Sequence, residues 1–206
     1  MRSGEWGKAI EDYRVALARE PENIFLLANA GDAYAGRGEN DQALLLYARY
    51  QQLNPEKNDG YIRMGNIYAR QKQWASAVRY YKKAEQRAGL DPDLLYNLGL
   101  AHSFLGEHQL AIVYFHRLVN LDRTNVKGLS ALGAQYALTR QFTRAKKYLD
   151  AALQINPSHE DALQNRVVCA LALQEKSEAI RFANKLKEVN AERGASLLEI
   201  IGRTPE

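Results

Sequence analysis

The side chains that most often carry catalysis or bind metal ions are sparse in this chain. Among its 206 residues are a single cysteine, Cys169, and four histidines: His102, His108, His116 and His159. The histidines fall in different structural slots, so they do not form the ligand cluster that a metal site needs. No histidine stands at a catalytic spacing from Cys169. The sequence also contains no phosphate-binding loop, Ser-His-Asp pattern or paired carboxylates, so we expect neither catalysis nor a cofactor.

Composition and charge restrict the class of protein further. The chain is 46% apolar and 25% charged, which predicts a soluble, ordered protein, and its net charge of +4 is mild. Basic and acidic residues are interleaved, without the like-charge block of a nucleic-acid arm. The first 19 residues have no signal-peptide core, and no apolar run reaches membrane-spanning length. The compartment stays open, with the cytoplasm favoured unless the chain is a fragment.

The sequence repeats every 34 residues, and this period predicts the secondary-structure elements that position these residues. Alanine returns at this interval at Ala9, Ala43, Ala77, Ala111, Ala145 and Ala179. Glycine does so at Gly31, Gly65, Gly99 and Gly133. A fixed period of this length is typical of stacked units that bury their apolar faces against their neighbours.

Each period predicts two amphipathic helices, here named helix A and helix B. In the second full unit, helix A shows an apolar face from Tyr61 to Tyr68, Lys72 and Gln73 form a turn, and helix B ends near Gly89. Asp91-Pro92 predicts the next helix start, an N-cap followed by proline at the first helical position. We expect the periodic glycine of helix A to lie against the periodic alanine of helix B.

These positions resemble the tetratricopeptide repeat (TPR) family over about residues 4 to 190. The family pattern has Leu-Gly and then Tyr in helix A, followed by Ala, Phe or Tyr, Ala and a final Pro in helix B. The third unit follows it with Leu95, Leu98-Gly99, Ala111 and Phe115, but has His102 in the Tyr position and Arg123 in the Pro position. The fourth unit follows it with Leu129, Leu132-Gly133, Tyr136, Ala145, Leu149, Ala152 and Pro157. The resemblance implies an all-α, right-handed superhelical solenoid of antiparallel helix pairs.

The resemblance also implies one repeat domain over residues 1–206. Its predicted parts are a half repeat (helix B only) at 4–23, five repeats at 24–57, 58–91, 92–125, 126–159 and 160–193, and a C-terminal capping segment at 194–206. The last repeat departs from the pattern, with Arg166-Val167 in place of Leu-Gly and Ala170 in place of Tyr. At the other end, we expect an open apolar surface around Trp6, Ala9 and Ile10, because no helix A precedes them in this sequence. Either the chain is a fragment of a longer repeat protein or another subunit covers this end; we favour the fragment, with at most weak self-association through the half repeat.

In this family helix A lines a concave groove, so the resemblance implies a set of groove residues. They are Asn29, Arg63, Asn66, Tyr96, Asn97, Leu100, Phe104, Lys127, Leu138, Asn165 and Val168. The sixth residue of helix A is asparagine in three repeats, and an asparagine amide can pair with any peptide unit. Arg63 and Ala131 interrupt this ladder. The alternative is that these are merely solvated helix residues, because polar residues are common at exposed positions.

The apolar groove residues are predicted to anchor a partner. Tyr96, Leu100 and Phe104 are spaced by four, with Ala134, Leu138 and Val168 in the following repeats. An exposed apolar stripe of this kind is typical of a groove that takes a helix or an extended peptide, although tight curvature could instead bury it.

A clamp for a terminal carboxylate, known in chaperone-docking members of the family, is predicted to be absent. Asn66, Asn97 and Lys127 match three of its five positions. Ile62 and Ala131 occupy the other two, where cations are needed to offset desolvation of the anion.

The sequence therefore predicts a non-catalytic scaffold or adaptor that binds a protein or peptide in the groove. A targeting or regulatory module of a larger enzyme or of a secretion or assembly apparatus is the alternative. Binding of nucleic acid or anionic membrane by the convex face is a third reading that we do not favour, and we expect no small-molecule substrate. The third reading depends on basic residues of helix B: Arg79, Lys82, Lys83, Arg87, Arg144, Lys146, Lys147, Arg181, Lys185 and Lys187.

Overall fold

The fold is all-α over the part of the chain that the computed structural model describes, residues 3–86 and 91–203. Twelve helices and no strands occur there. The helices are α1 (Ser3–Arg19), α2 (Ile24–Arg37), α3 (Asn40–Leu53), α4 (Asp59–Arg70), α5 (Trp74–Glu85), α6 (Pro92–Phe104), α7 (His108–Leu121), α8 (Val126–Leu138), α9 (Phe142–Ile155), α10 (Glu160–Ala172), α11 (Lys176–Val189) and α12 (Ala191–Arg203). The expected helix end at Gly89 and the basic residue Arg87 lie outside the described residues.

The chain divides after Leu105 into two compact units. Unit 1 contains α1 to α6 and unit 2 contains α7 to α12. Within each unit, every helix packs against the next one along the chain. This is the neighbour-only packing of a repeat array, in which each helix pair buries the apolar face of the adjacent pair.

Side-chain caps are present at the starts of four helices A, namely α2, α6, α8 and α10, whereas α4 and the described helices from α3 to α11 that are helices B begin without one. The Asp91 carboxylate accepts hydrogen bonds from the backbone N–H groups of Asp93 (2.9 Å) and Leu94 (3.1 Å), and Pro92 follows at the first helical position, as the sequence predicts. Asn23 caps α2 and Asn125 caps α8 in the same way. These caps satisfy N–H groups that have no partner inside their own helices.

The turn after each helix A contains one residue in the left-handed region. These residues follow the 34-residue period: Gly38 (φ +86°), Lys72 (+58°), Gly106 (+76°), Arg140 (+58°) and Gln174 (+61°). Only two are glycine, so three L-residues adopt a conformation that costs them about 1–2 kcal/mol each. The tight helix-to-helix connection requires this backbone conformation whatever the side chain.

The periodic alanines form the tightest part of each core. Ala43, Ala77, Ala111, Ala145 and Ala179 are fully buried. In unit 1, Ala43 packs in one cluster with Tyr47, Met64 and Ile67, and in unit 2, Ala179 packs with Leu163, Val167 and Phe182.

The expected contact between periodic glycine and alanine occurs at Gly133, where a Cβ atom would lie 3.3 Å from the Ala145 carbonyl oxygen, but a larger side chain lies closer to the glycine there and in two other repeats. A Cβ atom built on Gly31 would lie 2.4 Å from Tyr47 Cε1, one on Gly65 would lie 2.4 Å from Tyr81 Cε1, and one on Gly133 would lie 2.6 Å from Leu149 Cγ. The side chain that needs the glycine therefore stands four residues after the alanine, one turn further along helix B. The alanine provides close approach, but the glycine makes room for a large side chain.

The prediction of an open apolar surface around Trp6, Ala9 and Ile10 is wrong at Ile10, which is only 5% exposed. Trp6 is half-buried, and its ring would be 2.8 Å from a Cβ atom on Gly36 of α2. The first helix therefore uses Ile10 and Trp6 to pack within unit 1.

The last helix pair, α10 and α11, departs from the repeat pattern at a buried arginine. Arg166 is 1% exposed; its Nε lies 2.7 Å from Asp150 Oδ1 and its Cζ lies 4.6 Å from the centre of the Phe182 ring. Helix α12 packs against α11 so closely that a Cβ atom on Gly194 would lie 2.3 Å from the Lys187 backbone. It begins at Ala191, three residues before the predicted capping segment, of which residues 204–206 lie outside the described part.

Candidate functional site

A cavity of about 630 Å³ opens in unit 1 among the helices that carry the predicted groove residues. It brings together three of those residues, Arg63, Asn66 and Asn97. Its lining also includes residues that the groove prediction did not name: Trp6, Asp32, Tyr47, Arg70 and Tyr81. This cavity is the best-formed candidate site in unit 1, because charged, amide and aromatic groups converge on it.

One side of the cavity is an ion-pair group centred on Asp32. The Tyr47 hydroxyl donates a hydrogen bond of 2.7 Å to Asp32 Oδ1, and the Arg63 guanidinium forms a salt bridge with the same oxygen. Burial and the hydrogen bond to Asp32 raise the pKa of Tyr47 well above its ordinary value. Arg63 is thus held by Asp32, and its charge is matched within the protein.

The other side repeats this geometry with amides in place of charges. The Tyr81 hydroxyl donates a hydrogen bond of 2.7 Å to Asn66 Oδ1, and Asn97 Nδ2 lies 3.4 Å from the same oxygen. Burial raises the pKa of Tyr81 to about 12. Asp32 and Asn66 are one period apart, as are Tyr47 and Tyr81, so the same construction is used twice.

Hydrogen-bonding capacity remains on the open side of this amide group. Asn66 Nδ2 and Asn97 Oδ1 make no hydrogen bond among the described residues. One is a donor and the other an acceptor, which are the two groups that a peptide unit needs. Arg70, at the cavity wall, makes one hydrogen bond within residues 3–86 and 91–203, a 3.5 Å contact with the Ala35 carbonyl oxygen.

The apolar residues of α6 lie in the same unit but outside the cavity lining. Tyr96 and Leu100 are half-buried, whereas Phe104 is 61% exposed, as the sequence predicts. The Phe104 ring stacks on Trp74 with ring centres 4.2 Å apart and ring planes 10° apart. This stack holds one face of Phe104 and leaves much of the rest of its side chain in solvent.

The remaining predicted groove residues divide between the units. Asn29 is exposed on α2 in unit 1 and is not part of the cavity lining. In unit 2, α8 carries exposed Lys127 and Leu138, and α10 carries half-buried Asn165 and exposed Val168. Leu138 is 61% and Val168 42% exposed, so large apolar side chains face solvent there too.

The basic residues of helix B are largely engaged by the protein's own groups. Arg79 and Lys83 lie over the Tyr80 ring, at 5.2 and 5.4 Å from its centre. Ion pairs join Lys82 to Glu85 (3.1 Å), Lys146 to Glu175 (2.7 Å) and Arg181 to Glu178 (2.9 Å). These contacts reduce the charge that this face offers to a polyanion.

The one thiol and the potential metal ligands of the described residues are not gathered at the cavity. Cys169 is fully buried, and burial raises the pKa of its thiol to about 11. Residues 3–86 and 91–203 contain no group of three metal-ligating side chains. Among the described helices, none combines the length and apolar character needed to cross a bilayer.

Two family models with the same description match most of the chain. A family model described as "Tetratricopeptide repeat" matches residues 1–58 and 62–125, and a second model with the same description matches residues 138–201.

Curated relatives are distant and longer. Hsp70-Hsp90 organizing protein 2 of Arabidopsis thaliana is 23% identical over 92% of this chain and 32% of its own length. BBSome complex member BBS4 of Bos taurus is 24% identical over 97% of this chain and 38% of its own length. The chain thus spans about a third of the length of these relatives.

Solved structures share the fold at low sequence identity. YrrB, a TPR protein with an unusual peptide-binding site, has a TM-score of 0.75 at 21% identity, covering 92% of this chain and 99% of that one. PilW, a type IV pilus biogenesis factor, has a TM-score of 0.79 at 19% identity, covering 96% and 93%.

Proposed function

Because the chain belongs to the tetratricopeptide repeat family, we propose that it acts without catalysis as a scaffold that binds a peptide segment of a partner along helices A. In unit 1 these helices are α2, α4 and α6, and in unit 2 they are α8 and α10. Asn29, Asn97 and Asn165 hold the partner's backbone, while Tyr96, Leu100, Phe104 and Leu138 supply apolar anchors.

The observation that carries this proposal is the polar cavity of unit 1. It brings Arg63, Asn66 and Asn97 together at one surface. Asn66 Nδ2 and Asn97 Oδ1 have capacity for one donor and one acceptor contact, and such a pair can bind a peptide unit without regard to its side chain. The ion pair with Asp32 offsets the charge of Arg63, while Arg70 adds one positive charge to the lining.

The apolar residues supply the second part of the proposal. Phe104 is exposed over more than half of its surface, yet its ring is held flat against Trp74. An aromatic side chain that is already ordered loses little conformational entropy when a partner covers it. It is therefore well suited to act as an anchor.

The relatives support binding in general terms. Two of them are named as an organizing protein for Hsp70 and Hsp90 and as a member of the BBSome complex. A role as one module of a larger assembly is the alternative, since the chain spans about a third of those relatives. Binding of a polyanion by helices B receives less support, because many of their basic groups are already engaged.

The proposal is tested by selecting 12-residue peptides from a random display library on the immobilised chain. The affinity of the best selected peptide is then measured by calorimetry. We expect Asn97→Ala and Phe104→Ala each to weaken binding, Phe104→Ala by about 2 kcal/mol. The matched controls are Asn184→Ala on α11 and Leu45→Ala on α3, because Asn184 is exposed and Leu45 is 66% exposed on helices B. Loss of binding with the controls, but not with Asn97→Ala or Phe104→Ala, would overturn the proposal.

A further inference from the structure

Tyr81 connects the core of unit 1 to its open surface. The ring is 1% exposed, and it passes α4 at Gly65, where a Cβ atom would lie 2.4 Å from Tyr81 Cε1. Beyond the glycine, its hydroxyl lies 2.7 Å from Oδ1 of the next residue, Asn66. The glycine therefore makes room for a ring whose hydroxyl group reaches the cavity.

The preceding repeat contains the same arrangement. Tyr47 passes α2 at Gly31, and its hydroxyl donates to Asp32, again the residue after the glycine. In unit 2 the side chain against Gly133 is Leu149, which has no hydroxyl, and the residue after that glycine is Ala134. A polar residue thus follows the glycine where the opposing side chain can hydrogen-bond to it, and an apolar residue where it cannot.

The hydrogen bond from Tyr81 fixes which way the Asn66 amide faces. Asn66 Oδ1 already accepts from the Tyr81 hydroxyl and lies within 3.4 Å of Asn97 Nδ2. With the oxygen occupied, the Asn66 NH₂ group is the part of the amide left to meet a partner. A tyrosine with a pKa of about 12 keeps its proton at physiological pH, so this donor persists.

We propose that Tyr81 is a positioning residue for partner binding, which orients Asn66 so that its Nδ2 donates to a backbone carbonyl oxygen while Asn97 Oδ1 accepts from a backbone N–H. The inference rests on the proposed function. A donor and an acceptor at fixed places meet the C=O and N–H of one extended residue in one order only, so the pair sets the direction in which the bound segment runs. Tyr47 has the corresponding role for Asp32, where the salt bridge to Arg63 gives additional support.

The experiment uses the best 12-residue peptide from the display selection as its probe. Its dissociation constant is measured with the wild type, Tyr81→Phe, Asn66→Ala and the double variant. Tyr81→Phe keeps the buried ring and removes only the hydroxyl. We expect it to weaken binding by about threefold to tenfold, the value of one net hydrogen bond. In the Asn66→Ala background, Tyr81→Phe should cause no further loss, because the hydroxyl acts through Asn66.

Tyr13→Phe is the matched control. Tyr13 occupies the same helix B position one repeat before Tyr47, and its hydroxyl makes no hydrogen bond to a described residue. Its substitution should leave peptide affinity unchanged. Thermal melts of all variants verify that each is folded at the binding temperature.

The outcomes separate the inference from the proposed function. If Asn66→Ala and Asn97→Ala weaken binding but Tyr81→Phe does not, the positioning role is overturned and the peptide site stands. An equal loss from Tyr81→Phe in the wild-type and Asn66→Ala backgrounds would also overturn it, because the hydroxyl would then act by another route. If neither Asn66→Ala nor Asn97→Ala weakens peptide binding, the two amides do not bind the peptide, and the inference about Tyr81 is overturned as well.

Discussion

Arg166 shows how one residue can depart from the repeat pattern while keeping its place in the core. It occupies the position that Leu98 and Leu132 fill in the two preceding repeats, and it is buried like them. Asp150, Glu175 and Glu178 lie within 4 Å of its guanidinium, and Phe182 lies under it. Its Nη1 atom nevertheless has no hydrogen-bond partner among the described residues. A buried ion pair of this kind contributes little net stability, because desolvation offsets the attraction between the charges.

We predict that Arg166→Leu leaves the free energy of unfolding within about 1 kcal/mol of the wild type, or raises it. The three carboxylates are each about a third exposed, so water can solvate them once the guanidinium is removed. Arg166→Ala should instead lower the free energy of unfolding by about 2–4 kcal/mol, because it leaves a cavity. Urea unfolding measures both variants. A leucine variant that is no more stable than the alanine variant would show that the ion pairs themselves stabilise the fold.

At the scale of helices and turns, the left-handed residue after each helix A is the most regular feature. It is glycine at Gly38 and Gly106 but a long polar residue at Lys72, Arg140 and Gln174. The backbone geometry of the turn is thus retained while the residue best suited to it is not. Glycine adopts this conformation without a steric penalty, so the three non-glycine positions are sites where stability can be gained.

We predict that Arg140→Gly raises the free energy of unfolding by about 1 kcal/mol. The reciprocal change, Gly38→Ala, should lower it by a similar amount. A Cβ atom on Gly38 would meet nothing within 4 Å, so any cost there comes from the backbone conformation alone. Thermal melts of the two variants measure the effects. Equal melting temperatures for Gly38→Ala and the wild type would contradict this account of the turn.

The helices and their period could be predicted because both depend on local patterns. Apolar spacing, the Asp91-Pro92 start and the 34-residue interval are all visible along the chain. The large side chains nearest the glycines were not predicted, because adjacent turns of helix B share one face and spacing alone does not say which turn lies closest to the glycine. The sequence predicted only part of the cavity lining. Asn66 and Asn97 were predicted from their positions in helix A, whereas the hydrogen bond of Tyr81 depends on how α4 and α5 cross. The two periodic pairs, Asp32 with Asn66 and Tyr47 with Tyr81, were the available signal for it.

At the scale of the whole molecule, each unit presents exposed apolar side chains on its helices A, and unit 1 also has a polar cavity. In unit 1, the cavity side chains Asp32, Arg63, Asn66 and Asn97 are polar and hydrogen-bonded to each other. In unit 2, the large exposed residues of helices A include Leu138 and Val168. Within unit 1, the amide pair suits the backbone of a partner segment and the exposed Phe104 ring suits an apolar side chain, and both would contribute to selectivity.

The central claim, that partners bind to helices A, is tested most directly by NMR mapping. Backbone and side-chain amide signals of the ¹⁵N-labelled chain are recorded while the selected 12-residue peptide is added. The account predicts the largest shifts at Asn66, Asn97 and Leu100 on α4 and α6, with little change at Lys82 and Lys83 on α5. It also predicts that the double variant Lys82→Glu, Lys83→Glu binds the peptide as the wild type does. Shifts concentrated at Arg79, Lys82 and Lys83, together with loss of binding in that variant, would contradict it and assign the binding face to helices B.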